Sequence, residues 1–145
     1  MTLSRITLTL FCALLLAGGT QAQQSERFGP FELHYSVVNT TFLEPEVAAT
    51  YGITRGKNRA ILNLAVREHV EEGTQGRTML LKGRTWDFIH SEPLEFQEVR
   101  EGNAIYYIAE FTFINEEIRF FEMNFRPEGS DETLYFKFDH QLYIN

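Results

Sequence analysis

Phe31, Leu33, Tyr35 and Val37 alternate with Glu32, His34 and Ser36, and this period of two returns along most of the chain. Alternation of this kind sends successive side chains to opposite faces of an extended strand. It restricts the chain to sheets that bury one face each. Ala60, Leu62, Leu64 and Val66 repeat the pattern against Ile61, Asn63, Ala65 and Arg67. Further extended stretches are expected at Thr78–Ile89, with a break at Gly83, and at Leu94–Arg100, Ala104–Ile114, Ile118–Arg126 and Thr133–Ile144. The segments EEGTQG, Glu101-Gly102-Asn103, Asn115-Glu116-Glu117 and PEGSDE read as turns. The last three strands are joined by links too short for a parallel crossover, so an antiparallel meander is expected there. Phe121, Met123 and Phe125 supply one core face, and Leu134, Phe136, Phe138 and Leu142 another.

One segment breaks the period. In LEPEVAATYG, Pro45 stands near a first helical turn with Glu44 and Glu46 beside it, and Gly52 stands just past the end. Proline inside the start and glycine beyond the end mark a helix, and the acids suit its dipole. A short helix over Pro45–Tyr51 is expected. Residues 23–145 are thus read as one mostly β domain. It is an immunoglobulin-like antiparallel β-sandwich of about seven strands, with one short helix after the first strand; a small β-barrel plugged by the helix is the alternative.

The first 22 residues belong to a different class. MTLSR carries one cation, ITLTLFCALLLAGG is an apolar run, and Thr20 and Ala22 put small residues at −3 and −1 of a cut after Ala22. That is the pattern of a cleaved signal peptide. The single cysteine, Cys12, leaves with it, so the exported chain has neither disulfide nor thiol chemistry. Twelve of the thirteen phenylalanines remain and compensate, since each buried ring contributes about 2 to 3 kcal/mol. The bacterial periplasm is the expected compartment, with no membrane insertion after cleavage. The net charge of −7 opposes nucleic acid and anionic lipid surfaces.

Against that charge, Arg55, Lys57 and Arg59 fall within five residues around Gly56, with Asn58 between them. Alternating cations and an amide donor on an extended loop suit an anionic ligand or partner; a solvated turn explains the same residues. A second feature is the adjacent pair Phe120-Phe121. Neighbours on a strand face opposite ways, so Ile118 and Phe120 point away from the core face, and Tyr106 and Ile108 on the preceding strand are expected to join them. The helix, a second subunit or a partner protein would cover such a patch.

Other candidates carry less. Glu98 with Arg100, and Tyr106 with Glu110, share strand faces, as ordinary cross-strand pairs do. His34, His69, His90 and His140 lie on four segments without metal-ligand spacing; His140 reads as a hydrogen-bonded core histidine. The lone tryptophan, Trp86, reads as a core-edge residue. Phosphate loops, nucleophile elbows and dinucleotide fingerprints are absent, and no cofactor, metal site or catalytic residue is assigned.

NTTFLEPEVAATYGITRGKNRAILNLAV and EVREGNAIYYIAEF resemble the domain of unknown function 4426, a family of small exported proteobacterial proteins. The resemblance covers the chain nearly end to end. It implies a periplasmic bacterial protein and carries no activity, substrate or catalytic residue. The leading expectation is a non-enzymatic periplasmic binding or accessory module that contacts a protein partner, or a second copy, through the Ile118/Phe120 face or an exposed edge. The alternative is a carrier of a small anionic or amphipathic ligand held by Arg55, Lys57 and Arg59, and a hydrolase is a remote third.

Overall fold

The computed structural model describes residues 23–145; the expected signal segment lies outside them. Ten strands form two antiparallel sheets: β1 (Gln24–Phe28), β2 (Phe31–Asn39), β3 (Arg59–His69), β4 (Thr74–Arg77), β5 (Met79–Trp86), β6 (Ser91–Leu94), β7 (Gln97–Glu101), β8 (Ala104–Thr112), β9 (Ile118–Pro127) and β10 (Leu134–Gln141). The first sheet runs β1-β2-β3-β8-β7, with β4 also paired to β3; the second runs β10-β9-β5-β6. The sheets stack as a β-sandwich and neither closes into a barrel.

Ten strands replace the expected seven for local reasons. QSERF, too polar to read as a strand, pairs along β2 as an exposed edge. Part of EEGTQG becomes β4, folded back on the long end of β3. The stretch Leu94–Arg100 divides at Glu95-Phe96, so that β6 pairs with β5 while β7 pairs with β8 in the other sheet. β5 continues through Gly83 instead of breaking there. A Cβ at Gly83 would lie 3.1 Å from the Phe96 ring and 3.2 Å from the Glu122 carbonyl; glycine lets Phe96 lie against the strand.

The expected three-strand meander is also corrected. β9 and β10 form a hairpin, but the link after β8 carries the chain across to the other sheet. Short links exclude a parallel crossover; they do not oblige two strands to share a sheet. The inward faces of β8 and β9 meet across the sandwich instead, with the Phe111 and Phe121 rings 5.3 Å apart and edge-on.

The core between the sheets is built from Leu33, Leu62, Leu64, Val66, Phe121, Met123, Phe125, Phe136 and their neighbours. Helix α1 (Pro45–Thr50) starts with proline in its first turn. It ends at Gly52, which has φ +67° in the left-handed region that glycine tolerates. Val47 and Ala48 of the helix, with Leu43 and Ile53, cover Ile61, Val99 and Ile108 on the outer face of the first sheet. Among the described residues no such helix covers the outer face of the second sheet. Among the described residues no helix is long and apolar enough to cross a membrane.

Candidate functional site

The Arg55–Arg59 loop is tied down from below. Thr40, fully buried in the 3-10 turn after β2, accepts a hydrogen bond from the Gly56 N–H at 3.0 Å, and its hydroxyl lies 3.0 Å from the Arg59 carbonyl and 3.1 Å from that of Gly56. Arg55 donates to the Thr41 carbonyl at 3.2 Å. Arg59 donates to the Thr54 carbonyl at 3.1 Å and pairs with Glu110 at 3.5 Å. The Asn58 carbonyl accepts the Phe113 N–H at 2.9 Å. Two of the three cations are therefore spent on the turn, and Lys57 is left exposed to solvent. A neighbouring cavity of about 450 Å³ is lined by Asn58 but not by Arg55, Lys57 or Arg59.

The four residues expected on one apolar patch separate. Tyr106 and Ile108 belong to the first sheet, on the face that α1 covers. Ile118 and Phe120 belong to the outer face of the second. They join a different set of side chains there. Phe120 opposes Trp86 in register, and the two rings stack at 5.6 Å with 16° between planes. Phe88 meets Phe120 edge-on at 5.7 Å. Arg84 lies 4.3 Å over the Trp86 ring and pairs with Glu122, which also accepts from the Tyr135 hydroxyl at 2.8 Å. These bonds hold the Glu122 carboxyl below its ordinary range, the Arg84 bond first. Trp86 is thus half-buried on an outer face, where a core-edge position was expected.

The β5–β6 hairpin tip completes this surface. Phe88 is 82% exposed and Ile89 84%. The tip is nonetheless ordered by its own chemistry. The Asp87 carboxylate accepts the N–H groups of Ile89 and His90, each at 2.7 Å, and the Asp87 N–H donates back to the His90 carbonyl. Those backbone bonds, with the Glu117 side chain beside them, push the Asp87 carboxyl well below the usual range. An acidic side chain that bonds two residues on is a turn signal visible in WDFIH, and it locates two large apolar residues that the strand pattern alone assigned to Thr78–Ile89.

Beside the tip lies the cavity lined by Asp87, His90, Glu92, Glu117 and Arg119. Arg119 is only 7% exposed. Its guanidinium bonds Glu117 through Nε and Nη2, Glu92 through Nη1 and the Thr112 carbonyl at 2.6 Å. It lies 5.3 Å over the Phe111 ring. A guanidinium satisfied in this way braces the wall against which the tip is set.

The remaining candidates are structural in geometry. His34 and His69 both approach the Glu32 carboxylate, at 3.4 and 3.2 Å. The His69 bond holds the Glu32 carboxyl down, and burial lowers His34. No metal-holding group of side chains occurs among the described residues. His140 does not have the expected hydrogen bond: its buried Nε2 lacks a partner among the described residues. Glu98 bonds the Tyr107 hydroxyl at 2.7 Å and Arg100 at 3.2 Å. The Tyr107 oxygen in turn accepts the Met79 N–H at 3.1 Å. Burial, then Glu98, pushes Tyr107 up to about 12, so the phenol stays neutral beside a cavity of about 570 Å³ at the far end of the sandwich.

Residues 25–145 match the family model described as a domain of unknown function (DUF4426). No curated protein matches the sequence. Among solved structures, a DUF4426 family protein of Pseudomonas aeruginosa PAO1 shares 29% identity at a TM-score of 0.72, over 85% of this chain and 96% of that one. A copper-bound variant of FetP from uropathogenic Escherichia coli strain F11 aligns at a TM-score of 0.59 and 9% identity, over 86% of this chain and 97% of its own. FetP as isolated, expressed recombinantly in the periplasm of E. coli, aligns at 0.59 and 10% identity, over 88% and 99%. At that identity the FetP likeness concerns the fold alone.

Proposed function

The chain belongs to the DUF4426 family, and on that footing we propose that it is a non-enzymatic accessory module of the periplasm that captures a protein partner on the outer face of its second sheet. One observation carries the reading. Trp86, Phe120 and Phe88 form a row of touching rings, uncovered among the described residues, with exposed Ile118 two positions from Phe120 on β9 and exposed Ile89 beside Phe88 on a hairpin tip fixed by Asp87. Large rigid aromatics flanked by an arginine are the residue types that anchor protein interfaces, and apolar clusters of this kind on a soluble surface mark binding. An ordered tip has little conformational freedom left to lose on docking. The signal-peptide pattern of the first 22 residues supports export. Lys57 is the one cation of the loop available to add electrostatic selectivity.

The test compares the exported chain with a Phe88→Ser/Ile89→Ser variant by crosslinking in the native periplasm. Because both side chains stand in solvent, the melting temperature should stay within about 2 °C, while the partner band should fall at least tenfold. An unchanged band would overturn the reading. A small bound mass in the native mass spectrum, lost in Lys57→Glu, would replace it with the ligand-carrier alternative.

A further inference from the structure

Five strands pair on one side only, β1, β4, β6, β7 and β10, and four of them are poor templates for pairing; β4 is four residues with Gly76 inside it. β1 and β7 are five residues each, and β6 is four with Pro93 inside it. Short strands and proline are ordinary ways to blunt an edge. β10 is different. It runs eight residues, LYFKFDHQ, without proline, glycine or bulge, and pairs on one side only, with β9. Its outer backbone groups have no partner strand among the described residues.

The side chains on its outward face specify what could pair there. Lys137 and Asp139 are both exposed and flank Phe138. Two copies of β10 related by a two-fold axis would run antiparallel, and only registers that oppose side chains of like facing keep the ladder. Three such registers lie near the middle of the strand. Centred on residue 137, lysine meets lysine. Centred on 139, aspartate meets aspartate. Centred on Phe138, Lys137 of each copy meets Asp139 of the other, twice over, and Tyr135 meets Gln141. The sequence KFD is therefore self-complementary in one register and repulsive in its two neighbours. Asp139 has no cation opposite it in its own sheet, where its partner in register is Phe120.

We propose that the chain forms a homodimer through β10, in the register centred on Phe138, joining two four-stranded sheets into one of eight. The occupant of this edge is a second copy because the charge pattern answers itself. The two-fold axis stands normal to the sheet, so the Trp86–Phe120 surfaces of both copies lie on the same side of the assembly. The dimer does not depend on the function assigned to that surface.

Sedimentation equilibrium of the exported chain, residues 23–145, tests this with Lys137→Asp and Asp139→Lys. The wild type should be dimeric. Each reversal places like charges opposite each other at both pairs and should weaken association about 10- to 30-fold. An equimolar mixture of the two variants should form heterodimers, since all facing charges are then opposite, and the doubly exchanged chain should dimerise again. Asp139→Lys has no charged neighbour in register on its own chain, so its fold is not in question if Lys137→Asp, opposite Glu122, proves unstable. A monomeric wild type at a few hundred micromolar, a dimer indifferent to both reversals, or a mixture that stays monomeric would each overturn the proposal.

Discussion

Thr40 shows how a single buried hydroxyl decides what a charged loop is for. It holds the amide of Gly56 and reaches the carbonyls on either side of Lys57 and Asn58, so the turn has a backbone anchor that does not involve its cationic side chains. Thr40→Val keeps the shape and removes the hydroxyl. It should cost about 1 to 3 kcal/mol, the penalty for leaving buried polar groups unpaired, and lower the melting temperature by several degrees. Lys57→Glu on the same loop should change it little, because that side chain braces nothing. Equal losses in the two variants would show that the cations, not Thr40, shape the turn. The sequence displays the cations plainly and conceals their anchor, because Thr40 lies 16 residues from Gly56 and meets it only through the fold.

At the scale of elements, the features set by local chemistry are the ones that could be read in advance. Pro45, the flanking acids and Gly52 specify α1 within nine residues, and the alternating strands β2, β3, β9 and β10 announce their faces. Elements that owe their existence to a neighbour were hidden. β1 and β4 lack an apolar pattern and persist because β2 and β3 offer them a ladder. The aromatic row of Trp86 and Phe120 is likewise a product of the β5–β9 register, since 34 positions part its members in the chain. Helix α1 is short and depends on what it covers. A charge at fully buried Val47, in Val47→Asp, should detach it at a cost of about 3 kcal/mol or more. Hydrogen exchange should then accelerate across residues 43–53, while β9 and β10 keep their protection. Uniform acceleration would instead mean that the cover is part of the cooperative core.

For the molecule as a whole, most shifted groups favour the same side of neutrality. Burial lowers His34 and His140 from 6.5, so their neutral forms are preferred in the fold. Above 6.5 these histidines are neutral in both states and cost nothing. As pH falls through 6.5 the unfolded chain takes up protons first, and stability declines. Glu32, Glu98 and Glu122 are held below 4.5 by hydrogen bonds, from His69, Tyr107 and Arg84 respectively. Their contribution is present above 4.5 and is lost as pH drops through the folded values. Glu101 runs the other way, raised by burial, and its earlier protonation in the fold relieves part of the loss as pH falls. The melting temperature should therefore be flat from about pH 7 to 8 and fall in two stages, near 6.5 and below 4.5. His34→Gln with His140→Gln should abolish the first stage; its persistence would assign the decline to other groups.

The chain has one tryptophan, and it lies on the aromatic face instead of in the core. All of the protein's indole emission consequently originates within a few ångströms of Phe120 and the Arg84 guanidinium. The molecule carries its own optical reporter at the surface proposed for docking. A partner that seats there must alter the colour and quenching of that light, whereas a ligand lodged at the Tyr107 end of the sandwich would leave it nearly unchanged.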